Sequence, residues 1–107
     1  MRVPNAELAI VSDVKLLRYV LNLSHPIGGP HAFLFDRLLG INLTCADVLR
    51  QALLHAVRDE EAVEGQTSPY GTKYEVRFDM TGPRGRYTVL SIWIILTGSL
   101  APQLVTA

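Results

Sequence analysis

A strict two-residue alternation between Lys73 and Met80 constrains the fold of this chain more than any other feature. Charged residues occupy one set of positions and apolar or aromatic residues occupy the other, which is the pattern of a strand with one solvated and one buried face. The Thr-Gly-Pro-Arg-Gly segment at 81–85 predicts a hairpin turn. Residues 86–96 are rich in β-branched and aromatic side chains and predict a central strand.

The first half of the chain follows a helical period instead. Ser12 is placed to cap a helix over residues 13–21. Its apolar stripe begins at Val14 and continues through Leu17 and Leu21, and Leu16 and Val20 widen it. A second helix is expected between Pro30 and Gly40, because proline suits the first turn of a helix and glycine suits the residue past its end.

A third helix is expected after Thr44, which is placed to cap it, and its apolar face runs over residues 48–57. A short last strand is expected at 103–106, and residues 62–66 or 8–11 are alternatives for one further short strand. These elements predict an α+β fold, in which N-terminal helices pack on a C-terminal antiparallel β-meander of three to four strands.

Composition narrows the classes of protein to which the chain can belong. Its 107 residues suit a single domain, 1–107, and 49% hydrophobic against 19% charged residues exclude a disordered chain. Ten basic residues offset ten acidic ones, which argues against a nucleic-acid binder that acts through bulk charge. One cysteine cannot form an internal disulfide, so a reducing, cytoplasmic location is expected. The longest apolar run, 89–96, is too short to span a membrane.

The segment LLRYVLNLSHPIGGPHAFLF, at residues 16–35, resembles a widespread family of small bacterial domains of unknown function. The resemblance extends over nearly the whole chain through short motifs: Pro4-Asn5-Ala6, Tyr19, Leu21-Asn22, His25-Pro26, Gly28, Ala32, Phe35, Tyr70-Gly71, Lys73-Tyr74, Gly82-Pro83, Gly85, Trp93 and Leu104-Val105-Thr106. Members of the family occur alone, in phage-related proteins and at the C-termini of polymorphic toxins. Their helix-then-meander order is similar to that of the barnase–EndoU–colicin–RelE group of ribonuclease toxins.

Two histidines carry the strongest candidate chemistry. His25 and His31 flank a turn of glycine and proline, and imidazole can act as either general base or general acid. Metal-independent RNA cleavage needs both roles, one for the 2′-hydroxyl and one for the leaving oxygen. The alternative interpretation is that His25 organises the turn and His31 caps the helix. In the family that this chain resembles, lysine is usual at the position of His31 and arginine is frequent at that of Gln103.

Candidate phosphate and base contacts lie on the strands. Lys73 and Arg77 share a strand face and could hold phosphate, with Arg86 nearby on the hairpin; ion pairing with carboxylates of the same face is the alternative. Tyr70 is the best candidate for stacking on a base. The resemblance to ribonuclease toxins implies that Thr106 donates to a scissile phosphate, and an ordinary strand threonine is the alternative.

Other residues are expected to serve the fold. Tyr74 shares the parity of the apolar strand positions, and Trp93 lies in the most apolar strand, so both are expected in the core. Three histidines and Cys45 lack the spacing of a metal site, and no phosphate-binding glycine motif is present, so no metal or cofactor is expected.

Two function classes follow. The first is a metal-independent ribonuclease-like toxin domain that acts on RNA and is controlled by an antitoxin or immunity protein. The second is a non-enzymatic protein-interaction module on the same fold, which joins a toxin–antitoxin pair, a phage assembly or a homodimer. Neither class involves a membrane.

Overall fold

The computed structural model describes all residues from 1 to 107 and places the helices before the strands. Three helices and two short 3₁₀ turns make up the first half of the chain. Helix α1 joins an α-helical turn, Asp13–Lys15, to a π-helical turn, Leu16–Val20; helix α2 joins Gly29–Leu34 to a π-helical turn, Phe35–Leu39; helix α3 is Ala46–Asp59; and the 3₁₀ turns are Ala6–Leu8 and Leu43–Cys45.

Four strands form one antiparallel sheet in the order β1-β2-β3-β4. The strands are β1 (Ala62–Ser68), β2 (Gly71–Gly82), β3 (Gly85–Leu96) and β4 (Gln103–Thr106). The predicted α+β fold and the central position of β3 are confirmed. Of the two alternatives for a further strand, the one at residue 62 forms β1, and the other contributes only a parallel bridge from Ile10 to Gln103.

The alternation in β2 separates a core face from a solvated face as predicted. Tyr74, Val76, Phe78 and Met80 are buried beneath the helices, at most 7% exposed. Trp93 of β3 is fully buried, and its indole N–H donates to the Ser91 hydroxyl at 3.0 Å, which in turn donates to a β2 carbonyl at 2.8 Å. The buried polar groups of β3 are therefore satisfied within the core.

Helix α1 begins as predicted, and its predicted apolar stripe faces the core except at its first residue. The Ser12 hydroxyl accepts from the backbone N–H of Lys15 at 3.2 Å, which is the expected N-cap. Val14 was predicted to begin the apolar stripe and is instead 62% exposed, while Leu16 and Val20 are fully buried. The helix widens into a π-helical turn after Lys15, and Leu21, which was also predicted for the stripe, is buried just past that turn.

Helix α2 ends where the sequence predicts, whereas the start of α3 differs. Gly40 has φ 75°, and the N–H of Ile41 donates to the Phe35 carbonyl at 3.0 Å, which closes α2 in a Schellman-type cap. Thr44 does not cap α3, because it lies inside a 3₁₀ turn. The Asn42 carboxamide oxygen takes the capping role and accepts from the Thr44 N–H at 3.0 Å.

Candidate functional site

His25 fixes the turn that leads into α2. Its Nδ1 accepts hydrogen bonds from the backbone N–H groups of Ile27 and Gly28, each at 3.0 Å. Its ring meets Tyr19 edge-on, with the ring centroids 4.7 Å apart. Since Nδ1 accepts both bonds, the ring proton lies on Nε2. This geometry matches the interpretation of His25 as the organiser of the turn, and it occupies one of the two nitrogens that proton transfer would use.

His31 lies one turn into α2 and is exposed. It lines an open groove of about 300 Å³ between α2 and β3, which we call the α2–β3 groove. The groove is lined by His31, Leu34, Phe35, Leu38, Leu39, Tyr87, Thr88, Val89, Leu90, Ile92, Thr106 and Ala107. His25 is not among these residues, so the two histidines that the sequence offers as acid and base do not line the same groove.

The walls of the α2–β3 groove are apolar and poorly covered. Leu34 and Leu38 of α2 are 49% and 37% exposed, and Tyr87 and Leu90 of β3 are 45% and 39% exposed. Large apolar side chains that are this exposed and share one concave surface mark interaction sites more often than isolated exposed ones do. A molecule bound in the groove would therefore make mainly apolar contacts rather than contacts with charged side chains.

Thr106 joins His31 in this groove, at the end of β4. Its hydroxyl Oγ1 is buried and has no hydrogen-bond partner. The residue pairs with Ile92 of β3 at the point where β4 stops. A buried hydroxyl without a partner is costly, and Thr106 Oγ1 is the one buried side-chain polar atom of the chain that lacks a hydrogen bond.

The cationic residues lie on the solvated face of the sheet and pair with carboxylates. Arg77 contacts Glu75 at 3.4 Å, and Arg86 contacts Asp79 at 3.3 Å. Arg77, Asp79 and Arg86 line a shallow polar depression together with Glu60. These contacts match the alternative interpretation from the sequence, in which the arginines pair with carboxylates of the same face. None of these four residues lines the α2–β3 groove.

Lys73 and Tyr70 are also outside the groove. Lys73 is exposed on the solvated face of β2, opposite Ile94 in the register. Tyr70 is 78% exposed in the turn between β1 and β2, at the end of the sheet away from the β2–β3 hairpin. Of the seven sequence-predicted site residues, the structure brings only His31 and Thr106 together in this groove.

Two ionisable groups have displaced pKa values, and both belong to the β1 side of the molecule. Burial, followed by the negative charge of Glu64 and a hydrogen bond to it, raises the pKa of Tyr74 above its ordinary value of 10.0. Glu64 lies opposite Tyr74 in the register. The N-terminal ammonium group of Met1 lowers the pKa of Glu61 by a hydrogen bond at 2.5 Å and by its charge. Neither group contributes to the groove.

The sequence analysis did not identify the apolar residues of the groove as candidate site residues. Leu34 and Leu38 are four residues apart and form a second apolar line on α2, beside the buried line of Ala32, Phe35 and Leu39. A helix with two such lines has more apolar surface than one core contact needs. This excess of apolar surface on α2 could have indicated the groove from the sequence. The apolar residue Leu90, at a position of β3 where the alternation predicts a solvent-facing side chain, was a second indication.

Comparison with known proteins assigns the chain to a family without assigning an activity. No group of His, Cys, Asp and Glu side chains is arranged to hold a metal ion, and no helix is both long and apolar enough to cross a membrane. No curated protein and no solved structure matches the sequence. A family model does match, over residues 2–107, and its description is "Domain of unknown function (DUF6883)". The chain belongs to the DUF6883 family.

Proposed function

We propose that this domain is a protein-interaction module that docks a partner in the α2–β3 groove. The observation that carries the proposal is the exposure of four large apolar side chains on the two walls of one groove, Leu34, Leu38, Tyr87 and Leu90. Burying such side chains against a partner contributes about 25 cal/mol for each Å² removed from water. The balanced net charge of the chain and its ion-paired arginines fit such a role better than the binding of a polyanion.

The groove is small and suits a few side chains of a peptide. Its volume of about 300 Å³ is at the lower limit for small-molecule pockets. Phage-displayed libraries of random linear peptides are therefore the appropriate probe. We expect panning on the wild-type chain to enrich peptides whose affinity falls at least roughly tenfold in Leu38→Asp, because a charge would be desolvated in the groove.

Val63→Asp is the matched control for that experiment. Val63 is 61% exposed on β1, outside the groove, so the same change there adds the same charge without touching the docking surface. Enriched peptides should bind Val63→Asp as well as they bind the wild type. Failure to enrich any peptide, or equal binding to Leu38→Asp, would overturn the proposal.

Metal-independent RNA cleavage is a second candidate function for the same groove. It is favoured by the position of His31 and Thr106 on one groove and by the unpartnered Thr106 hydroxyl. In this scheme His31 exchanges the proton, Thr106 donates to the phosphate, and His25 holds the turn from which α2 starts. The chain would then be a toxin-like domain of the cytoplasm with an antitoxin or immunity protein as partner.

Incubation of the purified chain with total RNA and a chelator separates the two functions. Cleavage that His31→Gln abolishes and His55→Gln retains would favour the ribonuclease. His55 is the control because it lies on the outer face of α3, 3.2 Å from Asp59, and does not line the groove. If the RNA stays intact with the wild-type chain and with both variants, the result favours the interaction module over the ribonuclease.

A further inference from the structure

The solvated face of the sheet carries a row of alternating charges along β2. Lys73, Glu75, Arg77 and Asp79 occupy every second position of the strand, so their four side chains leave the same face. Neighbouring members of the row are about 6.6 Å apart along the strand, because each residue rises about 3.3 Å. The row therefore alternates positive, negative, positive and negative, and its charges sum to zero.

This row is complementary to itself when it is reversed. We consider a second copy laid over the face with its β2 antiparallel, about a two-fold axis that passes between Glu75 and Arg77. Lys73 then faces Asp79 of the second copy, and Glu75 faces Arg77 of the second copy, so all four contacts join opposite charges. A parallel arrangement would place each charge over its own equivalent, and a shift by two residues would place Lys73 over Arg77. Both alternatives bring like charges together.

Strand β3 adds apolar side chains to the same face, beside the charged row. Leu90 is 39% exposed, and Ile92 and Ile94 are half-buried. Ile92 lies opposite Glu75 in the register, and Leu90 lies opposite Arg77. The two-fold axis that matches the charges therefore also places Leu90 over Ile92 of the second copy.

We infer that a second copy of this chain docks on this surface, which we call the β2–β3 face, with the two sheets face to face and their β2 strands antiparallel. The inference goes beyond the proposed function, because the β2–β3 face shares Leu90 and Ile92 with the α2–β3 groove but includes no residue of α2. Burial of the apolar row supplies affinity, and the charges fix the orientation and register of the two copies.

The ion pairs within one chain are compatible with this arrangement. Arg77 and Glu75 are 3.4 Å apart, with 58% and 41% of their side chains exposed, and Arg86 and Asp79 are 3.3 Å apart, with 69% and 54% exposed. Exposed pairs of this kind contribute little to stability, so these side chains can turn to a second copy at small cost. Lys73 forms no ion pair within the chain, and its charge is available to Asp79 of the second copy.

The face has the area that a modest dimer needs. Strands β2 and β3 are each 12 residues long, which corresponds to about 40 Å, and four strands about 4.8 Å apart are roughly 19 Å wide. A face of this size is of the order of the roughly 800 Å² that each partner buries in a standard interface. Because β1 and β4 are shorter than the two central strands, we expect a dimer at the lower end of this range that dissociates on dilution.

The crossing of the two sheets decides which charges meet most closely. Sheets that pack face to face cross at about 30°. Glu75 and Arg77 lie next to the two-fold axis and are displaced little by this rotation. Lys73 and Asp79 lie farther out, and the long lysine side chain spans the lateral offset between them.

Charge swaps at the two ends of the row test the inference with the chain itself. Lys73→Glu would face the unchanged Asp79 of an identical copy, and Asp79→Lys would face the unchanged Lys73. Each variant alone should dimerise at least roughly tenfold more weakly than the wild type in sedimentation equilibrium. An equimolar mixture of the two variants should regain the dimer, because the new carboxylate of one variant then faces the new ammonium group of the other.

Lys15→Glu is the matched control, since it makes the same change of charge on α1, away from β2. It should dimerise as the wild type does. Glu75→Arg and Arg77→Glu form a second pair of swaps, next to the axis, and should likewise be weak alone and recover on mixing. Circular dichroism and thermal unfolding establish that each variant is folded, and the second pair carries the test if Asp79→Lys does not fold.

Three outcomes would overturn the inference. One is a wild-type chain that stays monomeric at about 1 mM, and another is a dimer that neither pair of swaps weakens. The third is a mixture that is no more dimeric than its separate components, since mixing restores only contacts between the two rows. In each of these cases, peptides selected by panning and lost in Leu38→Asp would still support the proposed interaction function, because α2 takes no part in the β2–β3 face.

Discussion

The outer edge of β1 and residues 86–90 of β3, which we call the open half of β3, each have a strand on one side only, but their side chains differ. Along β1 only Ala62 is buried, and the register with β2 shifts between Glu64 and Thr67 in a bulge. Glu64 lies opposite the buried Tyr74, which places a carboxylate at the margin of the core face. A bulge and an inward-facing charge both discourage the addition of another strand.

The open half of β3 has neither a bulge nor an inward-facing charge. Its register with β2 is unbroken from Gly85 to Leu96, and the groove beside it is lined mainly by apolar side chains. The outer edge of β4 is partly covered, since Ile10 donates to the Pro102 carbonyl at 2.8 Å and accepts from the Leu104 N–H at 3.0 Å. The difference teaches that the β1 edge carries features that discourage the addition of a strand, whereas the side chains and register of this part of β3 carry none.

The largest expected effect concerns how closely α2 packs at the groove end of the sheet. A Cβ added at Gly82 would lie 2.1 Å from the carbonyl oxygen of Leu39, which is backbone and cannot rotate away. In Gly82→Ala, α2 must therefore move off the hairpin. We expect the free energy of unfolding in urea to fall by about 1–3 kcal/mol, together with loss of peptide binding in the groove.

Gly65→Ala makes the matched change on β1. There the nearest atom to an added Cβ is the Lys73 carbonyl oxygen at 3.4 Å, an ordinary contact distance. We expect a change of no more than about 0.5 kcal/mol. Similar losses in the two variants would contradict the view that only the groove side depends on close backbone packing.

A smaller effect is expected at the hydroxyl groups of the two edges. Thr106→Val removes the buried Oγ1 that has no partner, so the free energy of unfolding should rise by about 1 kcal/mol. Thr67→Val on β1 removes an exposed hydroxyl 3.3 Å from that of Thr72 and should be neutral. Thermal and urea denaturation of both variants check this; a loss of stability in Thr106→Val would mean that the hydroxyl is solvated or bonded in solution.

The fold could be predicted from the sequence because its elements are encoded locally. The alternation from Lys73 to Met80 and the Gly-Pro hairpin fix the register of β2 and β3 over their whole length. The cap at Ser12 and the left-handed Gly40 fix two helix ends. The core-facing residues Leu16 and Val20 of α1 were also predicted, whereas the exposure of Val14 and the π-helical turn were not, because they depend on how the helix packs against the core.

The candidate site was predictable only in part, since it depends on contacts between distant segments. His31 and Thr106 are 75 positions apart, and nothing local indicates that α2 and the end of β4 line one groove. The pairing of Arg77 and Arg86 with carboxylates was one of two alternatives in the sequence.

The smallest expected effect tests the inward-facing charge that distinguishes the β1 edge. Burial and the charge of Glu64 raise the pKa of Tyr74 above 10.0, so the neutral phenol stabilises the folded state fully below pH 10.0. That contribution is lost as the pH rises through the folded-state pKa. Because Glu64→Gln removes one cause and keeps burial, we expect the pKa of Tyr74 to fall while staying above 10.0, and the total alkaline loss of stability to shrink.

Tyrosinate absorbance during alkaline titration measures this shift, with Tyr74→Phe identifying the contribution of Tyr74 among the four tyrosines. Glu75→Gln is the control, because Glu75 lies on the solvated face of β2 beside Arg77 and should leave the titration of Tyr74 where it is. If Glu64→Gln and Glu75→Gln gave the same curve, the carboxylate of Glu64 would not face the core margin. The bulge alone would then discourage strand addition at the β1 edge. This edge would differ from the open half of β3 in backbone geometry rather than in charge.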